Sequence, residues 1–302
     1  MLYASLLPWF SLLLISLAGS ACQDPATPPP AAASLPAPGP EFGAYWYTGE
    51  AELASYDLEQ ARYGEIHPGH AVLIFVTEDF SRQKQVKLDN GPAAGRDRVP
   101  ILKLNFTKKF LTGIYPYSLM TSIFTPVDQK RFSHPLKLTA SAQEWCGHVF
   151  TQLNQRDGAY QYQGFSYFES EGDSEGSLPL TYAEDGFWTQ IRLNPEKLPQ
   201  GRHAVIPGLM DSRLRHRALA AQPAELSLEP SGSESVYTVN YPSLGRSLSI
   251  RFATAFPHEI LGWEETQRGL TTRARLRQRI RSPYWNQHQP ADTIMRKKLG
   301  LP

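Results

Sequence analysis

The densest group of reactive side chains is Gln143-Glu144-Trp145-Cys146-Gly147-His148. Side chains alternate between the faces of a β-strand, so Glu144, Cys146 and His148 would share one face. A thiol beside an imidazole and a carboxylate has the makings of an activated nucleophile, because a base that removes the thiol proton creates the reactive thiolate. The spacing opposes this. Side chains two residues apart on one face stand about 7 Å from each other, beyond hydrogen-bond reach unless the strand bulges. The plainer reading makes Cys146 a small apolar filler of the core. Zinc is the second chemistry these residue types allow, with His67 and His70 joining Cys146 and His148. No spacing brings the two segments together, so turn histidines facing solvent are the simpler account and no metal is expected.

Arg273, Arg275, Arg277, Arg279 and Arg281 alternate with Ala274, Leu276, Gln278 and Ile280. In a regular strand all five guanidinium groups fall on one face. Such a row binds phosphate or carboxylate through paired hydrogen bonds, which makes lipid headgroups, lipopolysaccharide or an acidic partner candidate ligands. The same arginines also suit the solvent face of an edge strand, paired with neighbouring acids and blocking edge-to-edge aggregation. Residues 169–175 carry acids at alternate positions among Gly and Ser, the composition of a hairpin tip. The pattern faintly resembles a calcium loop but lacks the bidentate glutamate. No phosphate loop, dinucleotide fingerprint, His-Glu-x-x-His or Gly-x-Ser-x-Gly occurs. The chain is therefore expected to be non-catalytic and to need no cofactor. A formal net charge of +1 over 302 residues gives no reason to expect a nucleic-acid partner.

The elements that would position these residues are mostly strands. Residues 71–76, a continuous apolar run, read as a buried strand, and period-two alternation recurs at residues 85–89, 101–106, 187–193, 236–241, 248–256 and 271–280, with Gly/Pro turns between. Residues 137–155 read as a strand pair or one long strand, and 160–170 are rich in aromatics. Helical periodicity is scarce: residues 50–63 fit a short helix or a strand, and 213–221 a weak helix. Tyr115, Tyr117 and Trp263 read as core aromatics more readily than as the lining of a ligand groove. The expectation is an all-β, mainly antiparallel domain over residues 42–302, a large strongly curved sheet or open barrel with one or two short helices. An apolar content of 41% is enough for a sizeable core. A concave sheet face of this kind is a place to hold an apolar or anionic ligand, as in lipoprotein carriers.

The amino terminus says where the chain goes. Residues 6–17 form an apolar run, followed by Gly19-Ser20-Ala21-Cys22. A short apolar segment ending in small residues is an export signal and too short to be a stable membrane span. Gly19-Ser20-Ala21-Cys22 resembles a bacterial lipobox, which assigns residues 1–21 to a lipoprotein signal peptide and makes Cys22 the lipidated residue. Gly19 stands where such boxes usually carry Leu, and residues 1–7 lack the usual positive charge. The alternative is a plain secretory signal cut after Ala21. Stable anchoring needs more than one acyl chain, a condition that a multiply acylated cysteine meets. Residues 22–41 then form a Pro/Ala-rich tether of up to ~50 Å at about 3.1 Å per residue. Membrane lipid is the expected partner and the bacterial envelope, at the outer membrane, the expected location. A Cys22–Cys146 disulfide is the alternative use of the two cysteines.

Several segments also look familiar together. Tyr63-Gly64-Glu65, residues 75–80 (FVTEDF), residues 84–89 (KQVKLD), residues 113–118 (GIYPYS) and the hexapeptide around Cys146 resemble a bacterial envelope lipoprotein family. The similarity runs over most of the mature chain. Members often carry the label "septum formation inhibitor Maf". The resemblance implies no established activity and carries over no functional residue. The label by itself would imply a cytoplasmic nucleotide pyrophosphatase with an α/β fold and an early Ser-Pro-Arg-Arg loop. Here the amino terminus is an export signal, the Ser-Pro is Ser282-Pro283 followed by Tyr284-Trp285, and the pattern is β-rich. The label reads as a transferred name. Two enzymatic alternatives remain as expectations to test: an envelope hydrolase using Cys146 and His148, and the pyrophosphatase of the label.

Overall fold

The computed structural model describes residues 40–302; the leader, Cys22 and nearly all of the tether lie outside the described residues. The domain opens with helix α1 (Pro40–Trp46). Strands β1 (Ala51–Arg62), β2 (Glu65–Ser81), β3 (Val86–Lys87), β4 (Arg98–Thr112), β5 (Tyr115–Pro126), β6 (Lys137–Glu144), β7 (Gly147–Arg156), β8 (Ala159–Phe165), β9 (Ser174–Pro179) and β10 (Tyr182–Ala183) follow. Helix α2 (Glu184–Leu193), β11 (Gly201–Ile206) and helix α3 (Leu209–Leu214) come next. The chain continues through β12 (Gln222–Ser231), β13 (Glu234–Tyr241), β14 (Arg246–Ala253), β15 (Ile260–Gln267), β16 (Leu270–Ser282) and helix α4 (Ile294–Lys298).

All the strands belong to one 16-stranded sheet in the order β10-β11-β12-β13-β14-β15-β16-β1-β2-β4-β5-β6-β7-β8-β9, with β3 beside β2. Pairing is antiparallel except for β10 on β11. The chain is thus an all-β, β-barrel-like domain. Its curvature follows from one contact. Four strand spacings separate β15 from β4, about 19 Å along a flat sheet. Yet the rings of Phe106 on β4 and Trp263 on β15 are 5.2 Å apart. The sheet must wrap to bring them together.

Alternation builds that interior. In β13 every second residue is buried (Ser235, Tyr237, Val239 and Tyr241). On β4, Leu102, Leu104, Phe106 and Phe110 point into the same core. The opposite face is covered only locally: Leu299 and Leu301 lie over Leu53 and Val76, and Phe124 and Phe132 over Val99 and Ile101.

Residues 187–193 are not a strand. They belong to α2, which lies inside the curved sheet with nine of its ten residues buried. A helix surrounded by core carries no polar stripe, so its 3.6-residue period is masked and a short apolar run looks like a strand. Its acidic first turn, Glu184 and Asp185, suits the positive end of the helix dipole. Trp188 wedges against Phe106 at 5.0 Å and Trp263 at 5.2 Å. Each such side chain contributes about 1.5–3 kcal/mol of burial. The weak helix expected at 213–221 lies earlier, at α3. Residues 50–63 contribute β1, residues 137–155 are the β6–β7 hairpin, and 85–89 pair only at Val86 and Lys87. Four short helices appear among the described residues where one or two were expected.

Candidate functional site

α3 packs against β5 and β6 inside the curved sheet, with polar groups on both sides. Toward the interior is a buried charge network. Arg246 on β14 meets Glu184 of α2 through two bonds of 2.5 and 2.7 Å, and its Nε lies 3.0 Å from Glu265 of β15 and 3.4 Å from Asp211 of α3. Lys108 of β4 is 4.0 Å from Glu265. Arg217 reaches Asp211 at 2.8 Å. Asp185 accepts a hydrogen bond from the Leu209 amide at 2.9 Å, so the first amide of α3 is satisfied by a side chain from α2. A cavity of about 30 Å³ lies among these groups, room for a water molecule and little more.

Burial decides the charge states. It pushes the Asp185 carboxyl up to about 7 and that of Asp211 up to about 6. Burial would also raise Glu265, but Arg246 and then Lys108 outweigh it and hold the group at about 2. Lys108 is lowered by burial, against the pull of Glu265. Neighbouring carboxyls with environments this different mark a candidate functional site. None of these residues stood out in the sequence. The available signal was the placing of Glu184 and Asp185 directly before Phe187 and Trp188, charge where the apolar pattern calls for core.

On its other side α3 faces a groove of about 370 Å³, bounded by the inner ends of β7, β8 and β9. Arg213 of α3 bonds Glu144 at 2.5 Å and lies 3.5 Å from Glu171. His216 Nδ1 is 2.5 Å from the same Glu171, which also accepts from Ser166 at 2.5 Å. Burial would raise Glu171, but Ser166, His216 and Arg213 together hold it below the usual glutamate range. His216 has a φ of 51°, a left-handed conformation unusual for a residue with a side chain, and its ring stands edge-on to Phe168 at 4.9 Å.

The residues singled out in the sequence are placed as follows. Trp145 and Cys146 form the turn between β6 and β7, so Glu144, Cys146 and His148 do not lie on one continuous strand. Glu144 is committed to Arg213, and to the Tyr115 hydroxyl, which donates to it at 3.1 Å. Cys146 is a free thiol exposed at the hairpin tip and not a core filler. His67 Nε2 bonds the Arg62 carbonyl at 3.0 Å. Among the described residues no three His, Cys, Asp or Glu side chains are grouped to hold a metal ion. Tyr117 and Trp263 are buried in the core. The acidic stretch 169–175 supplies Glu171 to the groove.

The arginine row is divided. A β-bulge between Ser55 and Tyr56 makes Arg277 an extra residue on β16 and switches faces beyond it. Arg273 and Arg275 stand opposite Glu59 and Asp57 on the outer face, whereas Arg279 and Arg281 stand opposite Ala54 and Glu52, which face inward. Each arginine meets a carboxylate: Arg273 with Glu264 at 3.0 Å, Arg275 with Glu59 at 4.0 Å, Arg277 with Asp57 at 3.3 Å, Arg279 with Glu259 at 2.9 Å and Arg281 with Glu50 at 3.4 Å.

No family model matches the chain, and no curated protein matches it. Among solved structures, this chain is similar to a β-barrel-like protein of a domain of unknown function, DUF1849, from Brucella abortus. The TM-score is 0.49 at 10% sequence identity, covering 77% of this chain and 98% of that one. Among the described residues no helix is long and apolar enough to cross a membrane.

Proposed function

We propose that this protein is a membrane-tethered envelope lipoprotein, non-catalytic, that binds a ligand in the groove beside α3. The observation that carries the binding part is the contrast between the two sides of that helix. The concave face expected to hold an apolar ligand is occupied by α2 and α3, with cavities of only about 30 and 120 Å³ beside them, whereas the groove has about 370 Å³. The latter volume is within the range of small-molecule sites. The anchoring part rests on the leader, on Gly19-Ser20-Ala21-Cys22 and on the family resemblance. It makes membrane lipid the partner of Cys22.

Metabolic labelling with a fatty-acid analogue tests the anchor. Native protein is expected to take up label and sediment with membranes, and Cys22→Ala to lose both properties. Unlabelled protein with an intact Met1, recovered from the cytosol, would refute it. The hydrolase alternative has less support: Glu144 is spent on Arg213, and a thiol at a hairpin tip has no carboxylate–imidazole pair arranged behind it.

A further inference from the structure

The groove is built in a way that narrows what fits it. Its α3 side presents Arg213, His216 and Arg217. The carboxylates closest to the two arginines, Glu144 and Asp211, do not line it; Glu171, 3.5 Å from Arg213, does. Glu171 is the one acid on the wall, and its oxygens are already engaged by Ser166 and His216. Arg213 is nine-tenths buried, and its Nε has no protein partner. An unpaired buried donor costs free energy until something accepts from it. The sheet side differs: it offers the hydroxyls of Ser170 and Ser174 beside the rings of Tyr162 and Phe165, the latter half-exposed. Hydroxyls and aromatic faces on one wall with guanidinium groups on the other suit a ligand that is polyhydroxylated, has an apolar ring face and carries one negative charge.

We propose that the groove binds a single sugar ring carrying a carboxylate or a phosphate. The negative group meets Arg213 and Arg217, and the ring lies against Tyr162 and Phe165. This rests on the reading of the groove as a ligand seat. Planar guanidinium forks recognise either anion with two parallel hydrogen bonds, so carboxylate and phosphate share one chemistry here.

The test is calorimetric titration of the full-length lipoprotein in a sugar-free detergent with glucuronate, glucose 6-phosphate, glucose and inorganic phosphate. At least one acidic sugar is expected to bind ten times more tightly than glucose, and glucose 6-phosphate, if it is that one, ten times more tightly than inorganic phosphate. Ser174→Trp changes an exposed residue at the groove wall and is expected to abolish binding without lowering the melting temperature. Arg217→Lys keeps a positive charge toward Asp211 but loses the fork, and is expected to weaken acidic sugars about tenfold while leaving glucose unchanged. Equal affinity for glucose and both acidic sugars overturns the proposal, as does binding of glucose 6-phosphate no tighter than phosphate with glucuronate silent. If the acidic sugars give no heat while laurate or an acidic peptide binds and is blocked by Ser174→Trp, the sugar class is wrong and the ligand seat stands. If none of these probes binds, both readings fail.

Discussion

Arg192 and Glu52 tie α2 to β1 with both side chains 1% exposed. The guanidinium gives two bonds to the carboxylate, at 2.5 and 2.7 Å, and a third from Nε to the Pro257 carbonyl at 2.8 Å. It also lies 4.7 Å from the ring centre of Phe75 and 5.0 Å from that of Trp46. Burial alone would raise the Glu52 carboxyl, but Arg192 outweighs it and holds the group below the usual glutamate range. Arg192→Met keeps much of the volume and leaves Glu52 buried without its main partner. Breaking such a pair costs about 3–5 kcal/mol. Arg279 at 3.6 Å and the Tyr45 hydroxyl still face Glu52, which places the expectation near the lower end, about 3 kcal/mol. At about 2–4 °C per kcal/mol for a domain of this size, the melting temperature falls by about 6–12 °C. Urea unfolding followed by tryptophan fluorescence reads the same change as a lower midpoint. Replacing both partners, Glu52→Leu with Arg192→Met, removes the unpaired charge and is expected to recover to within about 1 kcal/mol of the parent or to exceed it. A single variant that loses under about 1 kcal/mol, or a double variant no better than the single, refutes the argument. Because Glu52 is depressed, the contribution of the pair is present above about pH 4.3, the ordinary glutamate value, and is lost as pH falls below it.

Asp185 has the opposite sign. With its carboxyl at about 7, the folded chain holds a proton that the unfolded chain releases near pH 4, so stability drains as pH rises between those values. Asp185→Asn keeps an acceptor for the Leu209 amide and removes the titration. Between pH 4 and 8 the parent should lose up to about 4 kcal/mol relative to the variant, and parallel curves in chemical denaturation would count against the buried acid. Cys146, exposed on its hairpin, should label with a thiol reagent in the folded protein; mass mapping that finds it protected until urea is added would contradict its position.

The sheet was largely legible because its strands alternate. β13 is the plainest case: inward Tyr237, Val239 and Tyr241 are separated by outward polar residues. α2 was hidden for a physical reason. A helix that touches core on all sides has no polar face, and its two charged anchors, Glu184 and Arg192, find partners on β14 and β1 far away in sequence. α3 was misplaced because its cap is tertiary: Asp185 supplies it from across the interior. The single face expected of the arginine row is broken by one extra residue, Arg277, since one bulge reverses every face beyond it. Of the candidate site, Glu144 and the acid-rich loop are legible in the sequence, but their meeting with Arg213 and His216 depends on how far the sheet curls, which no local pattern encodes.

The helix at the start of the described chain has a mechanical consequence. Phe42 and Trp46 are sunk among core residues, the Trp46 carbonyl accepts from the Thr77 hydroxyl at 3.0 Å, and Tyr45 holds Glu52. A pull from upstream would therefore load an aromatic stopper seated beside the strand pair β1–β2, and not a loose loop. Extraction would have to drag two large rings through close-packed surroundings before any ladder began to unzip. The first helix is thus fitted to bear tension applied through the residues that precede it.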